Sequence, residues 1–172
     1  ILFFAIELAV IFRARSTEKD RPLWFLPLLF FAWSNFHIQF VYGLAAIGLL
    51  FAETLLVVTS ASLGFRVEAP SFRPGRLALV TLACVGATVL TPYHLLLYKQ
   101  VIEYMFQRSA EFQLLSELHP MFFRSVGDWI ALLLALTAAF ALGWRRSWSP
   151  FPLALYLMAM ALAFRARRDV WM

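Results

Sequence analysis

The feature that most constrains this chain is an apolar run over residues 23–65, interrupted near its middle by three polar side chains. As one straight helix the run would be roughly 60 Å long, twice the hydrocarbon thickness of about 30 Å. It must therefore break, or extend well along an interface. Within it, the stretch FAWSNFHIQFVYGL places Asn35, His37 and Gln39 at alternate positions. That cluster is the natural place for a break, which makes two helices of one run.

The rest of the chain has the same character. Hydrophobic residues make up 62% and charged residues 15%, against about 25% charged in a soluble domain. Apolar blocks alternate with short charged clusters, the pattern of a polytopic helical membrane protein. We expect an all-α transmembrane bundle forming a single domain over residues 1–172, with spans near 1–12, 23–35, 40–64, 77–91, 129–144 and 150–164. Over 93–106 and just beyond, Lys99, Gln100, Glu103 and Gln107 fall on one helical face and Leu95, Tyr98, Ile102 and Met105 on another. This segment is expected to lie on the membrane surface. Both ends fall within apolar runs, so the chain is expected to be an internal piece of a larger membrane protein, truncated at both ends.

The net charge of +5 does not imply nucleic acid as a partner. Basic residues gather at the edges of apolar blocks, at 13–21, 66–76, 145–146 and 165–168, where they flank spans and meet the lipid bilayer's anionic headgroups. Two crossings by the 23–65 run put the first three clusters on one side. The polar trio, the loop 107–128 and the last cluster are then on the other, extracytoplasmic side. Block length carries this arrangement, because the distribution of basic residues fits one crossing as well as two.

Candidate chemistry is sparse. There is no phosphate-binding glycine loop, HExxH helix or nucleophile elbow. His37, His94 and His119 lack metal-ligand spacing, so no metal is expected. Glu53 is an acid inside an apolar block, and Glu7 another. Such groups usually face a bundle interior or cavity, as a proton or substrate contact or as a protonated acid bonded to a neighbouring helix. Asn35, His37 and Gln39 offer donors and acceptors suited to sugar hydroxyls or a phosphate oxygen. They could equally satisfy backbone groups freed at a helix break. Glu117 and His119 lie within reach of each other in the longest loop, as a base, a hydroxyl-binding pair or a solvated pair. Arg165, Arg167 and Arg168 could hold a lipid-linked phosphate through forked guanidinium bonds, or anchor the interface.

At these same places the sequence resembles bacterial polytopic membrane proteins related to GT-C-type glycosyltransferases. Their pattern W-x-N-x-H-G-G-F, followed by Gly-Leu, is matched by Trp33, Asn35, His37, Phe40, Gly43 and Leu44, with Ile38 and Gln39 in place of the glycine pair. N-P-Y-G before an L-Y pair resembles Thr91-Pro92-Tyr93-His94, then Leu97-Tyr98. I-x-E-W-x-S-P-x-F resembles the segment from Leu115 through Glu117, His119 and Pro120 to Phe122, without the Trp. L-R-S-x-R resembles Phe164-Arg165-Ala166-Arg167-Arg168. The matches keep their order along the chain.

The resemblance implies an integral protein of the bacterial inner membrane. It implies sugar transfer from a polyprenyl-phosphate donor on the extracytoplasmic face, by inverting attack of an acceptor hydroxyl. Such enzymes usually carry the catalytic acid in a first extracytoplasmic loop, expected before Ile1, so no catalytic residue is assigned in this chain. Asn35, His37, Gln39, Glu117 and His119 are the expected substrate contacts, and the Arg165–Arg167–Arg168 cluster the expected lipid-phosphate contact. The alternatives are a transporter or flippase-like protein with Glu53 as its coupling acid, and a non-catalytic membrane subunit.

Overall fold

The computed structural model describes residues 1–64, 69–70, 72–106, 125–144 and 149–165. All regular structure among them is helical. The helices are α1 (Leu2–Thr17), α2 (Leu26–Phe36), α3 (Phe40–Ser62), α4 (Pro74–Val89), α5 (Leu96–Phe106), α6 (Val126–Gly143) and α7 (Pro150–Arg165), with a 3-10 turn at Arg21–Phe25. The chain divides into two compact units, Ile1–Ile102 and Glu103–Met172.

In the first unit, α1 runs five residues past the apolar block into the charged stretch and stops where Glu18 adopts a left-handed φ of 52°. Pro22 opens the 3-10 turn and Pro27 the first turn of α2, positions where a missing N–H costs nothing. Buried residues recur at helical spacing on each helix: Glu7, Ile11, Ala14 and Arg15 on α1; Leu26, Leu29, Phe30 and Trp33 on α2; Leu77, Val80, Cys84 and Ala87 on α4. On α3 the stripe is Phe40, Gly43, Ala46, Ile47, Leu50 and Glu53. Each set makes one packing stripe.

Three sets of contacts fix the helix directions. Phe3 stacks on Trp33 and Phe36 with ring centroids 5.9 and 6.1 Å apart, so α1 and α2 are antiparallel. Glu7 lies at Gly43 and Arg15 at Glu53, so α1 and α3 run the same way. Arg76, at the start of α4, bonds Asp20 at 3.0 Å, so α4 starts beside the connection between α1 and α2. The four helices thus alternate in direction. The α2–α3 break lies at the end opposite the basic stretch 13–21.

The break falls at His37–Gln39, where the length of the run requires one. The helices on either side both pack on α1 and α4, and α2 packs most extensively on α4. In the second unit, Ser125 caps α6 in a reciprocal box. Its hydroxyl accepts from the Asp128 N–H at 3.2 Å, and the Asp128 carboxylate accepts from the Ser125 N–H at 3.3 Å. The Tyr156 hydroxyl of α7 donates to the Ala135 carbonyl of α6 at 3.1 Å.

Among the described residues, two helices are long and apolar enough to cross a membrane, over Phe40–Ala61 and Val126–Gly143. Pro74–Val89 and Pro150–Ala163 are apolar but shorter. Ile130, Leu133, Leu134, Leu136 and Phe140 on α6 are all about half exposed or more. A helix apolar on every side is solvated by lipid or by other protein, not by water.

Candidate functional site

The α1–α3 seam carries two buried acids about two helical turns apart. At the end near the basic stretch 13–21, Glu53 is held by Arg15 of α1. The two guanidinium nitrogens reach separate carboxylate oxygens, Nη1 to Oε2 and Nη2 to Oε1, the latter at 3.3 Å. Both side chains are buried. A forked pair of this kind neutralises both charges and fixes the register of the two helices. Arg15 therefore faces the bundle interior, not the headgroups that its cluster suggested. Glu53 is bonded to a neighbouring helix, and its partner is a cation.

At the other end lies Glu7, fully buried, with neither carboxyl oxygen hydrogen-bonded among the described residues. It closes over Gly43 together with the rings of Trp33 and Phe30. A Cβ placed on Gly43 would stand 2.6 Å from Trp33 Cζ3 and 2.9 Å from Phe30 Cζ, and would also strike the Glu7 carboxyl. Gly43 is what allows three helices to meet here.

One turn beyond Gly43 is the break itself. The Asn35 amide donates to the Phe31 carbonyl at 2.8 Å. The backbone of His37 is extended, and its Nδ1 accepts the Gln39 N–H at 3.1 Å. That N–H belongs to the open end of α3, which would otherwise have no intrahelical partner. His37 thus caps the open end of α3, one of the two uses open to the trio from sequence, whereas Asn35 bonds a carbonyl inside α2. Both are exposed, and Gln39 is half-buried, so they form a rim at this end of the unit.

The 91–98 segment meets the same end. Phe40 and Tyr98 make an edge-on ring contact with centroids 6.0 Å apart, and the Tyr98 hydroxyl bonds that of Thr88. Thr91 is buried with its hydroxyl unpartnered among the described residues. His94 holds a positive φ of 45°, a conformation natural to Gly and uncommon for other residues. On α5, Val101 is buried while Leu96 and Ile102 are exposed, as is Leu95 just before the helix. Of the expected apolar face, Tyr98 makes a ring contact while Leu95 and Ile102 are exposed, and Val101, outside that face, is buried.

Of the remaining expected site residues, Glu117, His119, Arg167 and Arg168 lie outside the described residues, and Arg165 is the last residue of α7. Sequence reasoning missed the Arg15–Glu53 pair and the crowding at Gly43. A signal for the burial of Arg15, though not for its partner, was present: Glu7, Ile11, Ala14 and Arg15 follow one helical stripe that crosses from the apolar block into the charged one. Comparison with known protein families, with curated proteins and with solved structures finds no match for the chain.

Proposed function

We propose that the chain is a polytopic helical domain of the bacterial inner membrane and part of a GT-C-like glycosyltransferase. In this reading it transfers a sugar from a polyprenyl-phosphate donor to an acceptor hydroxyl on the extracytoplasmic face. The observation that carries the proposal is the Phe40–Tyr98 contact. It joins two stretches that the resemblance treats as separate motifs, 33–44 and 91–98, at one end of one unit.

Details of the geometry support the reading. Gly43 occupies a motif glycine's place and has no room for a side chain. His94 stands where the family pattern has Gly and keeps the positive φ a glycine would supply. The rim of Asn35, His37 and Gln39 is where hydroxyl or phosphate oxygens would be met. Glu117 and His119 would complete the sugar contacts, and the Arg165–Arg167–Arg168 cluster would meet the lipid phosphate.

The test is transfer from polyprenyl-phosphate sugars in membranes containing the full-length protein. The reading expects label to leave the donor faster than in membranes lacking the protein, and this gain to fall at least tenfold with Asn35→Ala plus His37→Ala. Donor turnover that is the same with and without the protein sinks it. A proton-coupled transporter is the second reading. Glu7, buried without a hydrogen-bond partner, favours it, and Glu7 then takes the coupling role first expected of Glu53.

A further inference from the structure

We propose that Glu7 is a proton-binding site. It is a carboxylic acid that carries its proton inside the α1–α2–α3 seam, and the packing of that seam depends on the proton. The inference stands apart from the glycosyltransferase reading, because it follows from this seam alone.

Three observations lead to it. Glu7 is fully buried and neither of its oxygens is hydrogen-bonded among the described residues. A bare carboxylate in such a place would be uncompensated, whereas the neutral acid is tolerated at far lower cost. The packing is also tight. The carboxyl, the Trp33 ring and the Phe30 ring all press on Gly43 with no room for even a methyl group, which suits a proton better than any larger cation.

Among the described residues, the surroundings supply no counter-charge. From α2 the neighbours are Phe30 and Trp33, and from α3 Gly43, none of them titratable. From α4 the Cys84 thiol lies within electrostatic reach and offers no positive charge. Arg15 is eight residues further along α1, roughly 12 Å, and is committed to Glu53. The contrast within one seam is informative: where a charge is kept, an arginine is provided, and at Glu7 none is found among the described residues. The break at His37–Gln39 lies one turn beyond Gly43, a short path for proton exchange with the outside. Loss of the proton would put an unpaired charge between α1 and α3 and loosen their contact.

The experiment is infrared difference spectroscopy on the full-length protein in membranes, wild type minus Glu7→Gln. Gln has the shape of the neutral acid. The expected result is loss of a protonated-carboxyl stretching band, with the carboxylate bands unchanged and the thermal unfolding midpoint close to wild type. Loss of carboxylate intensity instead would overturn the proposal. So would failure of both Glu7→Gln and Glu7→Leu to fold while Glu7→Asp is tolerated, because the site would then require a charge.

Discussion

The two ends of the α1–α3 seam make a controlled comparison within one molecule. Both place a glutamate of one helix against the other, and both exclude solvent. At Glu53 the opposing helix supplies a guanidinium. At Glu7 it supplies only the bare backbone of a glycine, with aromatic rings on either side. The difference shows two ways an acid can be accommodated between apolar helices, by pairing or by close packing around a neutral group. It also separates the consequences of mutation at the two ends.

The largest effect is expected at the paired end. Arg15→Met leaves Glu53 buried without its cation, and breaking such a pair costs about 3–5 kcal/mol. Chemical unfolding in mild detergent should show the loss. Arg15→Met combined with Glu53→Leu should recover most of it, because an apolar pair of similar size removes the stranded charge. A double variant no better than the single would break the distinction between the two ends.

Packing is the test at the other end. Gly43→Val forces a branched side chain into Trp33 and Phe30 and should cost about 1–3 kcal/mol, read by the same unfolding measurement. A neutral outcome would mean that the helices are free to separate there.

Smaller changes sharpen the picture. His37→Ala removes the acceptor for the Gln39 N–H and should lower stability by about 0.5–1.5 kcal/mol, visible as a modest drop in midpoint. Arg76→Gln removes an ion pair whose arginine side chain is 53% exposed, and the expected change is within about 1 kcal/mol and reduced by salt. A large effect at Arg76 would place that pair in a far drier setting than the seam geometry gives it.

Much of the first unit was legible in the sequence because length and periodicity are local signals. The run 23–65 was too long for one span, and the helices end at Phe36 and restart at Phe40. The alternate spacing of Asn35, His37 and Gln39 marked a non-helical stretch, and the backbone of His37 is extended. What the sequence concealed was pairing across distance. Arg15 sits among Arg13, Lys19 and Arg21, so its charge read as one more interfacial residue. Only α3 running parallel to α1 brings Glu53 to it, and no local pattern encodes that. The role of Gly43 was hidden for the same reason, since its crowding comes from α1 and α2. On α5, amphipathicity and the place of Tyr98 on the apolar face were visible, but the contact of Tyr98 with Phe40 and the burial of Val101 were not, because both depend on residues distant in sequence.

The central proposal is that the 23–65 run crosses the membrane twice, with its break on the outside. Labelling with a membrane-impermeant thiol reagent tests it directly, in a Cys84→Ser background carrying Gln39→Cys in one variant and Glu18→Cys in another. The account predicts that the position 39 variant is labelled in intact cells and the position 18 variant only after permeabilisation. Protection of position 39 in intact cells, with labelling only once the membrane is opened, would contradict it.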